Sequence, residues 1–274
     1  MRSLVKTVIA ITAIACLFAA SVCAGSAPVK DRTDVLFLGN SYTAVNNLPQ
    51  IFIDLAASGG KDVETDANTP GGHTLYGHSQ NTTSLDKIAQ GEWEFVVLQE
   101  QSQYPTIDYY RVNFMYPGAR VLDQQIRAVG AETLFFMTWG REYGGKQVIG
   151  GHASPEFSDY YDMQNALRTA YFGIALELAA RMAPVGMAWQ TARTMNFPSD
   201  LWAADHSHPT YQGSYLAACV FYAVIFNESP VGLSFIGSLS PEQAAFLQAA
   251  ADRTVFHHTD GTLQHLFTTH NILD

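Results

Sequence analysis

Cysteine is nearly absent from this 274-residue chain, and the positions of its three cysteines leave no disulfide framework. Cys16 and Cys23 stand in an apolar N-terminal stretch, and Cys219 stands alone in the run Ala217-Ala218-Cys219-Val220-Phe221. A lone thiol in such a run reads as a small buried hydrophobe rather than a nucleophile. Basic residues are also scarce: 15 Lys and Arg face 25 Asp and Glu, for a net charge of −10. With no Lys/Arg run, neither nucleic acid nor an anionic membrane surface is expected as the main partner. Only 15% of residues are charged while 47% are hydrophobic, which excludes a disordered chain. Internal repeats and low-complexity tracts are missing too, so collagen and coiled coil are excluded. What is present in quantity is aromatic residues, at 12%, enough for a sizeable core.

The N-terminus reads as an address. Arg2 and Lys6 precede an almost wholly apolar stretch over 8–20, followed by the small residues of 21–26. This order matches a secretory signal, and Val22-Cys23-Ala24 places the cut after Ala24. The alternatives are an uncleaved anchor, for which the stretch is short of the ~20 apolar residues a span needs, and lipidation of Cys23, which the bulky Val22 disfavours. Residues 1–24 are thus expected to be removed, 25–33 to be a linker, and 34–274 to form a single domain in an exported protein, periplasmic or extracellular, with no stable membrane insertion. Without a disulfide, that domain relies on its own core, which a chain of about 250 residues can supply.

Short apolar runs alternate with longer helical patterns. Strands are expected at 34–38, 63–67, 95–98, 133–137 and 185–188, and helices at 48–58, 116–129, 160–182, 211–226 and 241–256. Gly59-Gly60 and Gly130 mark helix ends, and Ser240 with Pro241 marks a start. The alternation implies an α/β domain with a mostly parallel sheet covered on both faces. In such sheets the functional groups gather at the carboxyl ends of the strands.

Three groups of residues fall there. Gly39-Asn40-Ser41-Tyr42-Thr43 follows the first strand, with Ser41 at the start of the next helix. Asp205-His206-Ser207-His208-Pro209 precedes the helix at 211. Its spacing lets the Asp205 carboxylate accept a hydrogen bond from His208 Nδ1–H and leaves Nε2 facing outward as a base. His206 is the rival base. Gly71-Gly72-His73-Thr74 and Gln99-Glu100-Gln101-Ser102 supply glycine N–H groups and side-chain amides of the kind that stabilise an oxyanion.

In this order the groups resemble the SGNH hydrolase superfamily, the GDSL-like esterases, across the whole domain. Gly39-Asn40-Ser41 corresponds to the first block, with Asn in place of the family's Asp. Gly72 corresponds to the second, Gln99-Glu100-Gln101-Ser102 to the third, and Asp205 to His208 to the last. The resemblance implies a three-layer α/β/α sandwich with a flavodoxin-like, five-stranded parallel sheet. It implies Ser41 as nucleophile, His208 as base and acid, and Asp205 as its orienter. It also implies an oxyanion hole from the Ser41 and Gly72 N–H groups and the Gln101 amide. Gln101 stands where the family has Asn, without the preceding Gly, and Gln99 is the alternative donor.

The function so implied is hydrolysis of a carboxylic ester through an acyl-enzyme, with no metal or cofactor. The substrate is a small molecule or a glycan ester, an O-acetylated carbohydrate being the example. Tyr42, His73 and Trp139 are the candidate substrate-binding residues, and Tyr76 and Arg141 fall near the same crevice. An acyltransferase on the same site, or a glycan-binding protein that keeps the fold, are the alternatives. His257, His258, His265 and His270 cluster near the C-terminus without metal-ligand spacing and read as a polar tail. Mass spectrometry of the exported protein is expected to find Gly25 at its N-terminus; an intact leader would mean an anchor instead.

Overall fold

The computed structural model describes residues 32–257 and residue 267. The leader at 1–24, the linker residues 25–31, and His258, His265 and His270 lie outside the described residues. The first strand, β1 (Arg32–Leu38), runs Arg-Thr-Asp-Val-Leu-Phe-Leu, and its last five residues are buried. A strand apolar on both faces has to sit inside a sheet covered on both sides. The linker expected at 25–33 is therefore too long by two residues, since Arg32 and Thr33 already pair with Asp62 and Val63.

Four more strands complete a five-stranded sheet: β2 (Asp62–Asn68), β3 (Phe95–Leu98), β4 (Glu132–Phe136) and β7 (Arg181–Ala183). The order is β2-β1-β3-β4-β7, and every neighbouring pair is parallel. A short antiparallel hairpin, β5 (Val148–Ile149) with β6 (His152–Ala153), lies outside this sheet. The chain leaves β1 toward β2 and then returns past β1 to β3. The switch point, where the crevice of a flavodoxin-like sheet opens, therefore falls between the carboxyl ends of β1 and β3.

Helices cover both faces and complete the three-layer sandwich. The short α1 (Ser41–Ala44) leads to α2 (Leu48–Ser58), which packs on α9 (Tyr211–Phe226). Residues 213–224 of α9 are all buried, because α2, α8 (Val185–Thr194), α10 (Pro241–Phe256) and β7 surround it. A helix apolar all round needs such a position. The second group is α3 (Leu75–Ser79), α4 (Thr82–Gln90) and α6 (Tyr116–Ala128). A short α5 (Asp108–Tyr110) runs through a π-helical stretch at Arg111–Met115 into α6. On α10, Ser240 is the cap its sequence signals, and with Gln243 it forms a reciprocal capping box.

The region 160–188 differs from the sequence reading. The helix expected at 160–182 is α7 (Tyr160–Glu177), which ends before Ala179, where φ is +46°. The edge strand is 181–183, paired with 134–136 of β4, and the expected strand at 185–188 is the first turn of α8. A four-residue apolar run has no periodicity of its own, so strand and buried helix look alike in sequence. Pairing at the sheet edge decides it.

Gly186 lets α8 start against the exit of β4. Its N–H donates to Met137 O at 3.0 Å, and Tyr160 Oη donates to its carbonyl at 3.0 Å. A Cβ at this position would stand 2.1 Å from Thr138 O and 2.3 Å from Gln164 Nε2. Gly186→Ala is expected to destabilise the fold by about 1–3 kcal/mol, read as a lower urea midpoint. An unchanged midpoint would mean that the backbone yields there.

Candidate active site

The chain turns sharply at the end of β1. Gly39 N–H donates to Asn68 O at 3.1 Å. A Cβ on Gly39 would approach Thr43 Oγ1 to 2.6 Å and Gln99 Oε1 to 2.7 Å, so the turn requires glycine. Asn40 caps α1 by accepting from Tyr42 N–H at 3.1 Å, and Ser41 is the first residue of that helix.

The loop 203–209, which precedes α9, brings Asp205 and His208 to this serine. His208 Nε2 lies 2.9 Å from Ser41 Oγ, and His208 Nδ1 lies 2.5 Å from Asp205 Oδ2. Asp205 Oδ1 accepts from the N–H groups of Ser207 at 3.1 Å and His208 at 2.9 Å. Desolvation alone would raise the Asp205 pKa. The hydrogen bonds from the His208 ring and from the two N–H groups outweigh it and hold the carboxyl at about 2. An ionised carboxylate on Nδ1 fixes the tautomer in which Nε2 accepts the serine proton. His206, the rival base, sits at φ +59° with Nδ1 2.8 Å from Glu142 Oε2. It faces Glu142, not Ser41.

Tyr42 and Trp139 are not available as substrate contacts. Trp139 is 1% exposed, stacked between Tyr42 (centroids 4.6 Å) and Trp189 (4.0 Å), and Tyr42 is 3% exposed. Both faces of the indole are covered, so it offers no platform to a sugar. The stack instead supports the loop that carries His208: Trp139 Nε1 donates to Ser207 O at 2.9 Å, and Tyr42 Oη lies 2.7 Å from Ser207 Oγ. The Tyr42 ring also meets the His208 imidazole edge-on at 5.3 Å. The strand-end positions of these rings are evident in the sequence; their direction, beneath the loop, is not. Ser207 and Trp189, which complete the support, carry no sequence signal.

Of the oxyanion candidates, Gly72 sits at φ +68° in the loop after β2, with open space around its Cα. Neither its N–H nor that of Ser41 meets an acceptor among the described residues. The two glutamines separate clearly. Gln99 is fully buried: Oε1 accepts from Asn40 N–H and Thr43 Oγ1, both at 3.0 Å, and Nε2 donates to Asn40 Oδ1 at 2.9 Å and Glu100 O at 2.6 Å. Its donors are spent behind the serine. Gln101 is partly exposed and fixes its oxygen on the N–H groups of Gln103 (2.7 Å) and Tyr104 (3.1 Å). That orientation leaves Nε2 with only the 3.3 Å contact to Gln103 Oε1, and so with a donor to spare. His73 is half-buried, and desolvation lowers its imidazole pKa against the opposing pull of the Gly77 backbone. The His73 carbonyl accepts from Asn40 Nδ2 at 2.9 Å.

The chain has the SGNH hydrolase fold. It is similar to the crystal structure of a DUF4886 family protein from Bacteroides uniformis, with a TM-score of 0.64 at 19% identity, over 86% of this chain and 100% of that one. It is also similar to a proposed SGNH hydrolase from Slackia heliotrinireducens, with a TM-score of 0.56 at 25% identity, over 71% of this chain and 99% of that one. The psychrotrophic esterase EstA from Pseudoalteromonas, in a structure inhibited by monoethylphosphonate, matches with a TM-score of 0.50 at 17% identity, over 71% and 97%. No family model matches the chain, and no curated protein does.

Two buried titratable groups hold the loops without facing the serine. His78 is fully buried, with Nε2 2.8 Å from Gly39 O and Nδ1 2.7 Å from Ser84 Oγ. Gly39 O can only accept, so Nε2 carries the proton, and burial lowers the imidazole to about 4. Glu100 is fully buried as well; it accepts from Gln101 N–H at 2.6 Å and Leu75 N–H at 3.2 Å, which ties the loop after β3 to the start of α3. Desolvation raises its carboxyl from 4.5 to about 8, against the pull of those N–H groups. A carboxyl raised in the folded state binds its proton more tightly there than in the unfolded chain. The stability it confers is therefore full below pH 4.5 and is lost as pH rises to about 8. Glu100→Gln keeps an oxygen for both N–H groups and cannot ionise. The variant is expected to gain Tm relative to the parent as pH rises from 6 to 9, and parallel Tm profiles would contradict a raised carboxyl.

Proposed function

We propose that this protein is an exported serine hydrolase that cleaves a carboxylic ester, with Ser41 as nucleophile, His208 as base and acid, and Asp205 as orienter. The observation that carries the reading is the hydrogen-bonded row from Ser41 Oγ through His208 to Asp205. The similarity in fold to EstA, a protein described as an esterase, agrees with it. Among the described residues no helix is long and apolar enough to cross a membrane.

In this reading Ser41 Oγ attacks the ester carbonyl while His208 Nε2 takes its proton. The ionised Asp205 stabilises the imidazolium that forms. The tetrahedral oxyanion rests on the Ser41 and Gly72 N–H groups and the Gln101 amide. His208 then returns the proton to the leaving alcohol, and water, activated by the same imidazole, releases the acid from the acyl-enzyme. A preorganised donor of this kind is worth about 3 kcal/mol of transition-state stabilisation, so Gln101→Ala would lower kcat far more than it changes KM. An O-acetylated carbohydrate, met outside the cytoplasm, is the substrate class proposed.

A fluorophosphonate is expected to add once to the mature protein, on Ser41, as read by intact mass and peptide mapping. Ser41→Ala should abolish labelling and p-nitrophenyl acetate turnover, and Asp205→Asn should lower kcat by about 10²- to 10⁴-fold. Undiminished turnover in Ser41→Ala would overturn the mechanism. Glycan binding without labelling between pH 6 and 9 would point to a binding protein.

A further inference from the structure

Arg141 leaves the carboxyl end of β4 just after Trp139 and Gly140. Its half-buried guanidinium meets two hydroxyls: Nη1 donates to Tyr42 Oη at 3.1 Å, and Nη2 donates to Ser102 Oγ at 3.2 Å. Tyr42 follows Ser41 and Ser102 follows Gln101, so the cation sits where the loops after β1, β3 and β4 meet. The same Tyr42 hydroxyl reaches Ser207, beside His208, and the Tyr42 ring abuts the His208 imidazole.

The charge on Arg141 is not balanced. Arg32, Arg111, Arg120, Arg127 and Arg181 each face a carboxylate. Arg141 forms no such pair among the described residues. Two acidic groups of the site loops are already engaged, Glu142 with His206 and Asp205 with His208. Two neutral hydroxyls occupy two of the five guanidinium donors and leave the charge uncompensated. A partly desolvated cation without a counter-ion is costly. An anion entering the crevice would recover that cost, and a guanidinium fork matches a carboxylate better than any other side chain does.

We propose that Arg141 is a specificity-determining residue that selects ester substrates carrying a carboxylate near the scissile bond. The proposal rests on Ser41 being the nucleophile. The carboxylate can belong to the acyl part, as in a dicarboxylic half-ester, or to the alcohol part, as in an acetylated uronic acid. The net charge of −10 repels anions from the molecule as a whole, so a preference for them has to arise locally.

Two matched pairs of esters separate the sources: p-nitrophenyl butyrate against p-nitrophenyl hemisuccinate, and acetylated methyl glucoside against acetylated glucuronate. In one pair the anionic member is expected to have a kcat/KM ten-fold or more above its neutral partner. Arg141→Gln should reduce that ratio about ten-fold, and Arg141→Lys should retain part of it. If Arg141 only braces Tyr42 and Ser102, both members fall together and the ratio stays constant, which overturns the proposal. A ratio near one in both pairs for the parent protein overturns it too. Calorimetry with succinate and glucuronate on the Ser41→Ala protein reads the anion site without turnover. Binding that disappears with Arg141→Gln supports the site even if no ester is cleaved and no fluorophosphonate adduct forms, a result that removes the esterase reading alone. Absence of binding together with absence of turnover overturns both.

Discussion

One buried amide holds the strand ends in register. Asn40 is 3% exposed, and all its polar groups are used. Its N–H donates to Gln99 Oε1, its Oδ1 accepts from Tyr42 N–H and Gln99 Nε2, and its Nδ2 donates to His73 O. Its carbonyl accepts from the N–H groups of Thr43 and Ala44. The loops after β1, β2 and β3 therefore meet on one side chain. A buried polar group left unpaired costs more than a paired one contributes, so each partner fixes the others. A carboxylate in place of the Asn40 amide would set an oxygen against the His73 carbonyl.

The loop that carries His208 is held by different means. Below it lies a column of rings, Tyr42, Trp139 and Trp189; the Tyr42 hydroxyl reaches Ser207 Oγ and the Trp139 indole N–H reaches the Ser207 carbonyl. Ser41 thus hangs on amide hydrogen bonds, His208 on Asp205 and the ring column, and Tyr42 belongs to both supports. The electrostatics follow the same division. The groups behind the serine, His78 and Glu100, are kept neutral near pH 7 by burial, whereas Asp205, at the rim, is kept ionised by its N–H partners. The serine side of the crevice therefore carries little charge, and the field there is set by Asp205 and Arg141.

Much of this was legible in the sequence. Strands such as 95–98 and helices such as 48–58 and 211–226 fall where apolar runs, glycine stops and caps place them. Asp205 and His208 could be paired because they share a short loop, and local spacing is what a sequence reports well. The failures have a common cause. The direction of Trp139, the helical state of 185–188 and the commitment of Gln99 to Asn40 are each decided by partners distant in the chain. The short α3 and α4, capped by Thr74 and Asn81, carry too few apolar residues to stand out as helices in the sequence. Glu100 stands in a polar tetrapeptide that gives no hint of full burial.

The bond between Ser41 and His208 joins residues 167 positions apart. Ribosomal synthesis runs from the N-terminus, so a nascent chain displays its serine long before it owns the imidazole that meets it in the fold. The helices α8 and α9, which flank the 203–209 loop in sequence, are also made late. The pairing of Ser41 with His208 is thus a property of the finished fold rather than of any early folding unit. A chain threaded unfolded through a membrane would carry the serine apart from its imidazole the whole way and bring the two together only on folding.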